Sequence, residues 1–317
     1  MKKYFAFAAA AIMMVACNVE ELKTSDVQEN GKINLTASIN SSEDVTRADG
    51  AGALQDQHFV TGKLIQIEAY AAGETTKYTN GVYTTATEGA LNPTPDQLYY
   101  PANNGAIDIC AYYPSTITSG STSFTVQTNQ STEANYQASD LMYATKLTNC
   151  ASIVNSQPAT HDLTFNHALT KIVVNIVAGN GLDDANITTS PKVSSVKLNN
   201  TVVEAQLAIS AGVITAGRVT AEEPDPDPEP TDIEILGTGL SNVGIIVPQT
   251  VESGKTFITV SYNGANYTYS LSADKTFLAG KVYTYTLTLS ARGLVLQATT
   301  ITNWTSAGEP VPSAITI

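Results

Sequence analysis

Apolar positions recur with a period of two along most of this chain. Within 31–47, Ile33, Leu35, Ala37 and Ile39 alternate with Asn34, Thr36 and Ser38, which predicts a strand with one buried face. Further strands are predicted at 64–70, at 107–113, where Pro114 halts the run, and at 123–128. The stretch 75–85, broken by Asn80-Gly81, reads as a hairpin with a tight turn. Residues 91–101 hold Pro93, Pro95 and Pro101 and read as a loop leading into the next strand. Helical periodicity is confined to a turn near 131–138.

The second half repeats the pattern. An apolar strand at 171–177 ends in Gly179-Asn180-Gly181, and 193–198 and 202–209 lie around a turn at Asn199-Asn200. Short strands follow at 213–219 and 244–249. The runs 257–262 and 266–271 join through Asn263-Gly264, and 281–289 alternates again. Short strands separated by turn residues predict an all-β chain. At 317 residues, two tandem antiparallel β-sandwich domains are expected, at 48–165 and 166–317. Acid and proline alternate from Glu222 through Pro230, so 222–231 is read as a solvated loop. It lacks the glycine turn that folds carboxylates around calcium.

Composition narrows the function. Hydrophobic residues make up 43% and charged residues 14% of the chain, with a net charge of −13. That balance supplies cores but no basic patch to neutralise phosphates, so nucleic acid is excluded as a partner. His58, His161 and His167 are the histidines. On one strand, His161 and His167 would stand about 20 Å apart, too far to share a metal. Nucleophile-elbow, P-loop, dinucleotide and paired-cysteine zinc patterns are missing. No catalytic residue, cofactor or metal site is therefore expected. Trp304, the single tryptophan, is read as a sheet-face aromatic.

The amino terminus carries an address. Lys2 and Lys3 precede an apolar run from Tyr4 to Ala16, which makes 1–17 a signal peptide too short to span a membrane. Met14-Val15-Ala16-Cys17 resembles the lipobox of bacterial lipoproteins, in which the cysteine carries the lipid; the alternative is an ordinary secretory signal ending near a cysteine. Cys110 and Cys150 then remain, either as one disulfide or as two separate buried thiols. Arg47 precedes the loose run Ala48-Asp49-Gly50-Ala51-Gly52, an accessible cut site for an arginine-specific protease. Residues 18–47 thus form a propeptide with a removable strand. Beyond Trp304, Val311, Ser313, Ile315 and Ile317 share one face of an extended tail stiffened by Pro310 and Pro312.

Several segments in order (Asp108-Ile109-Cys110-Ala111-Tyr112-Tyr113-Pro114, Ser139-Asp140-Leu141-Met142-Tyr143-Ala144 and 163–172) resemble landmarks of the fimbrillin family. So do 244–249, 277–285 and 298–304. These are type V pilins, lipoprotein-derived fimbrial subunits of anaerobic Gram-negative bacteria. The resemblance implies transthyretin-like sandwiches, lipidation at Cys17, an outer-membrane precursor and a cut between Arg47 and Ala48. It further implies a cell-surface polymer of fimbrial subunits built by strand exchange. The Ile33, Leu35, Ala37 and Ile39 strand would leave an edge of the first domain, and Val311, Ser313, Ile315 and Ile317 of a neighbour would replace it. Two alternatives stay open. One is a fimbrial tip or minor subunit that binds a host glycan or protein receptor; the other is a surface lipoprotein that never polymerises.

Overall fold

The computed structural model describes residues 31–40, 59–154, 156–182, 193–219, 227–237 and 239–304. Cys17, Arg47, Ala48, His58 and the expected donor segment 311–317 lie outside these residues, as does the first half of the acidic run at 222–231.

Among the described residues the fold is all-β apart from one short α-helix, α1 (Glu133–Ala138), and one 3-10 turn at Thr87–Gly89. The first strands are β1 (Asn34–Ile39), β2 (Leu64–Ala71), β3 (Lys77–Thr85), β4 (Ala90–Thr94) and β5 (Ile107–Tyr113). They are followed by β6 (Ser123–Thr125), β7 (Met142–Cys150), β8 (Ile153–Val154), β9 (Gln157–Pro158) and β10 (Thr160–His167). Seven of these close on themselves in the order β1-β10-β7-β5-β2-β3-β4, with β4 pairing back to β1. Ile33, Leu35, Ile65, Ile67, Tyr83, Ile109, Leu163 and Phe165 are among the buried side chains of this first core.

Closure corrects three expectations. The removable strand is no edge, because β1 is paired on both sides. Residues 91–101 do not begin as a loop: Ala90–Thr94 forms β4, with Pro93 opposite Tyr83. Proline removes a donor, so a strand carrying one is hard to read from sequence. Asn80-Gly81 is no turn either, but the middle of β3, opposite Glu68 and Ile67. A Cβ on Gly81 would stand 3.1 Å from the Leu98 side chain, so the glycine makes room for a close contact.

The later strands are β11 (Thr170–Ala178), β12 (Val193–Thr201), β13 (Glu204–Ser210), β14 (Val213–Arg218), β15 (Thr231–Glu234) and β16 (Ser241–Ile246). Then come β17 (Gln249–Val251), β18 (Thr256–Tyr262), β19 (Ala265–Ser270), β20 (Lys275–Phe277), β21 (Lys281–Ser290) and β22 (Gly293–Asn303). Two four-stranded sheets, β16-β11-β21-β22 and β15-β12-β18-β19, contribute to a second core with Ile172, Val174, Leu198, Phe257, Tyr283 and Tyr285. The Asn263-Gly264 turn joins β18 to β19 with positive φ at both residues, as a tight hairpin requires. Pairing is mostly antiparallel, but β1 with β10 and β11 with β21 run parallel.

Chain connecting β5 to β7 joins the second core through Ile117, Val126, Tyr136 and Leu141, and β6 pairs with β13. Gln130 reinforces this contact, donating to the Ile245 carbonyl at 2.7 Å and accepting from its N–H at 2.8 Å. β5 is buried on both faces: Ile107, Ile109 and Ala111 enter the first core, Cys110 and Tyr112 the second. Cys150 belongs to the first core, so the two cysteines face opposite sides of the sheet. Both are free thiols, and burial pushes each up to about 11. The disulfide left open by the sequence is not formed.

Candidate functional site

The site is the berth that holds β1. Its long wall is β10, paired in parallel from Asn34↔Thr160 to Ile39↔Phe165. Its short wall is β4, antiparallel at Leu35↔Leu91 and Thr36↔Ala90. Backbone bonds extend the short wall: Ile33 N–H donates to Leu98 O at 2.9 Å, and Tyr100 N–H to Gly31 O at 2.8 Å. At the other end, Asn40 N–H donates to Phe165 O at 2.8 Å and the Asn40 side chain to Asn166 Oδ1 at 2.9 Å.

The alternation predicted from sequence faces the core as expected. Ile33 is 0%, Leu35 4%, Ala37 6% and Ile39 6% exposed. Outward, Thr36 and Ser38 donate to the two oxygens of Asp162, each at 3.0 Å. Gln97 Nε2 clasps the start of the strand, donating to Ile33 O at 3.0 Å, and Tyr83 Oη also reaches that carbonyl at 3.4 Å. Gly89, at φ +75, lies so close that a Cβ there would stand 2.5 Å from the Ala37 carbonyl oxygen. Gln97, Tyr83, Asp162, Gly89 and the whole of β4 escaped the sequence reading. Only the glycine in Thr87-Glu88-Gly89 gave a local signal, and a glycine in a loop does not reveal which backbone approaches it.

Around the berth the polar groups are structural. His161, on β10 opposite Leu35, lies 2.6 Å from Tyr100 Oη and 3.2 Å from the Ala151 carbonyl. Burial holds its pKa down, with the Ala151 contact opposing. His167 ends β10, pairs through Nδ1 with Asp140 Oδ1 at 2.9 Å, and stacks on Trp304. Trp304 is thus more than a sheet-face aromatic: Lys171 Nζ also stands over its ring, 5.7 Å from the centroid. Among the described residues, no group of three or more His, Cys, Asp or Glu side chains is placed to hold a metal ion. What the arrangement offers is mechanical. A ribbon joined to the barrel by ladder bonds and four side chains would, on leaving, open an apolar trough between β4 and β10.

A family model described as fimbrillin-like matches residues 46–304. This chain belongs to the fimbrillin-like family. The match begins one residue before Arg47 and ends at Trp304, so β1 and the tail flank it on either side. This fimbrillin-like chain is 27% identical over 265 residues to a Bacteroides uniformis protein named "Putative fimbrium subunit Fim1C", covering 79% of this chain and 80% of that one. Crystal structures of proteins described as "putative cell adhesion protein" share the fold. One from Bacteroides uniformis has a TM-score of 0.61 at 23% identity, covering 87% of this chain and 99% of the other. Another, from Bacteroides ovatus, has a TM-score of 0.61 at 18% identity, covering 86% and 97%.

Proposed function

We propose that this fimbrillin-like chain is a cell-surface fimbrial subunit that polymerises by exchanging one strand for another. In this reading the precursor is exported as a lipoprotein anchored through Cys17 to the outer membrane. An arginine-specific protease cuts between Arg47 and Ala48, β1 leaves, and residues 311–317 of a second copy fill its berth. The observation that carries the reading is the position of β1, which seals the barrel by non-covalent contacts while its covalent link to β2 runs through Arg47.

Magnitudes allow it. Seven extended residues span about 23 Å, comparable to the strand they replace. Burying Val311, Ile315 and Ile317 contributes about 5–9 kcal/mol before ladder bonds and ordering costs. Until the cut, β1 occupies the trough and keeps the precursor from templating another chain. Head-to-tail contacts that do not close then yield a fibre, and the added strand is β-augmentation in its usual form.

Deleting residues 311–317 tests the reading. The truncated protein is expected to fold, lose its propeptide and remain monomeric by size-exclusion chromatography. Normal fibres from the truncated protein, or a surface-extracted subunit whose mass still includes residues 18–47, would overturn it.

A further inference from the structure

The berth has an order of sizes, and so does the tail. From Ile33 to Ile39 the inward side chains run large, large, small, large: Ile33, Leu35, Ala37, Ile39. Read forward, the tail gives Val311, Ser313, Ile315, Ile317, which is large, small, large, large. Read backward, it gives Ile317, Ile315, Ser313, Val311, which matches the berth at every site. We infer that the neighbour's tail enters the berth running opposite to β1, with Ile317 at the place of Ile33, Ile315 at Leu35, Ser313 at Ala37 and Val311 at Ile39. This rests on the exchange proposed above and adds its direction and register.

Packing separates the two directions. Running the way β1 runs, the tail would leave the Leu35 space underfilled by Ser313 and force Ile315 into the space of an alanine. Cavities and overpacking both destabilise a close-packed core. The Ala37 space is confined, since Leu163 stands beside it on β10 and Gly89 crowds its backbone. Turning a strand about the normal to the sheet keeps alternate side chains on the same face, so the reversed tail still buries the same four residues.

The seams point the same way. β1 pairs in parallel with its long wall, β10, and antiparallel with its short wall, β4. Reversal makes the long seam antiparallel, the slightly more stable pairing per residue. The replacement therefore improves the longer ladder at the expense of the shorter one, which favours exchange over return of the released ribbon.

Cysteine pairs introduced on the outward face read the direction. Asn34 stands opposite Thr160, Thr36 opposite Asp162 and Ser38 opposite Thr164. Ala314 falls opposite Asp162 in either direction, so Ala314→Cys with Asp162→Cys reports exchange itself. Thr316 falls opposite Thr160 if the tail is reversed and opposite Thr164 if it is not. Those two partners are about 13 Å apart, beyond what one disulfide bridges. The full-length variants would be cleaved, assembled under mild oxidation and run on a non-reducing gel. The expected result is a ladder of crosslinked subunits from the 314–162 pair and from Thr316→Cys with Thr160→Cys, but none from Thr316→Cys with Thr164→Cys. A ladder from 316–164 instead overturns the direction and leaves exchange standing. Absence of all three ladders, or crosslinks confined within single chains, overturns the neighbour's tail as occupant and the assembly with it. A size swap gives a second reading: Ser313→Leu is expected to lower fibre yield at least about tenfold, and a raised yield contradicts the reversed tail.

Discussion

His167 and Trp304 stack face to face, with ring centroids 3.8 Å apart and planes 5° from parallel. His167 closes β10, the strand that holds β1, while Trp304 directly follows β22. The contact therefore ties the wall of the berth to the last described strand, next to where residues 305–317 begin. Trp304 N–H donates to Gly280 O at 2.7 Å and Gly280 N–H donates to Leu169 O at 2.8 Å, so backbone bonds back the stack. Replacing Trp304 with alanine is expected to cost about 3–5 kcal/mol, measured by chemical denaturation. Phenylalanine should retain a substantial part of that stability. A loss under 1 kcal/mol for alanine, far below that estimate, would mean the stack is not holding the two elements together.

Gly89→Ala is expected to loosen β1 selectively. The substitution places a methyl 2.5 Å from the Ala37 carbonyl and forces a side chain onto φ +75. Such strain costs roughly 1–3 kcal/mol. Hydrogen exchange should accelerate at the amides of 34–39 while those of β21 stay protected. Uniform acceleration would show that β1 is not a separable unit.

Leu35→Ala should destabilise the protein by about 2–5 kcal/mol, because its side chain is buried opposite Leu91. Val295→Ala on β22 is the contrast. That valine is 61% exposed, and its truncation should stay within about 0.5 kcal/mol. Equal effects at the two positions in thermal melts would contradict the placement of the core.

Stability should fall in acid through Asp108. Burial pushes this carboxyl up, but Lys146 at 2.8 Å and the N–H groups of Asn149 and Gly73 outweigh it, so its pKa is lowered on folding. A depressed folded pKa gives stability that is present above the unfolded value and lost as pH falls through the folded one. The loss should begin near pH 4, about the ordinary Asp value. The Lys146 ammonium is raised by the same pairing, so its contribution holds below about pH 10.5 and fades above it. His161 adds a further step: burial lowers its pKa, so neutral His161 favours the fold above about pH 6.5. Melts from pH 8 to pH 3 should show one loss setting in below about pH 6.5 and another below about pH 4. Asp108→Asn should remove much of the second step.

The strand at the centre of these predictions was visible from its pattern alone. Ile33, Leu35, Ala37 and Ile39 could face only one side of an extended ribbon, and the structure buries all four. The Asn263-Gly264 hairpin was equally legible, because residues with positive φ at a two-residue turn are a local requirement. Asn80-Gly81 shows the limit of that signal. The same kind of pair lies inside β3, since Leu98, distant in sequence, packs over the glycine.

By itself, then, the sequence determined which residues of β1 face inward and that the fold is built of β-strands. These properties follow from side-chain alternation and local backbone preference. Only the tertiary structure decided what lies on either side of β1. Pairing with β10 joins residues well over a hundred positions apart, and β4 was hidden by Pro93. Neighbours across a sheet are chosen by global packing, which no local window encodes. That is why an expected edge proved to be the stave that closes a barrel.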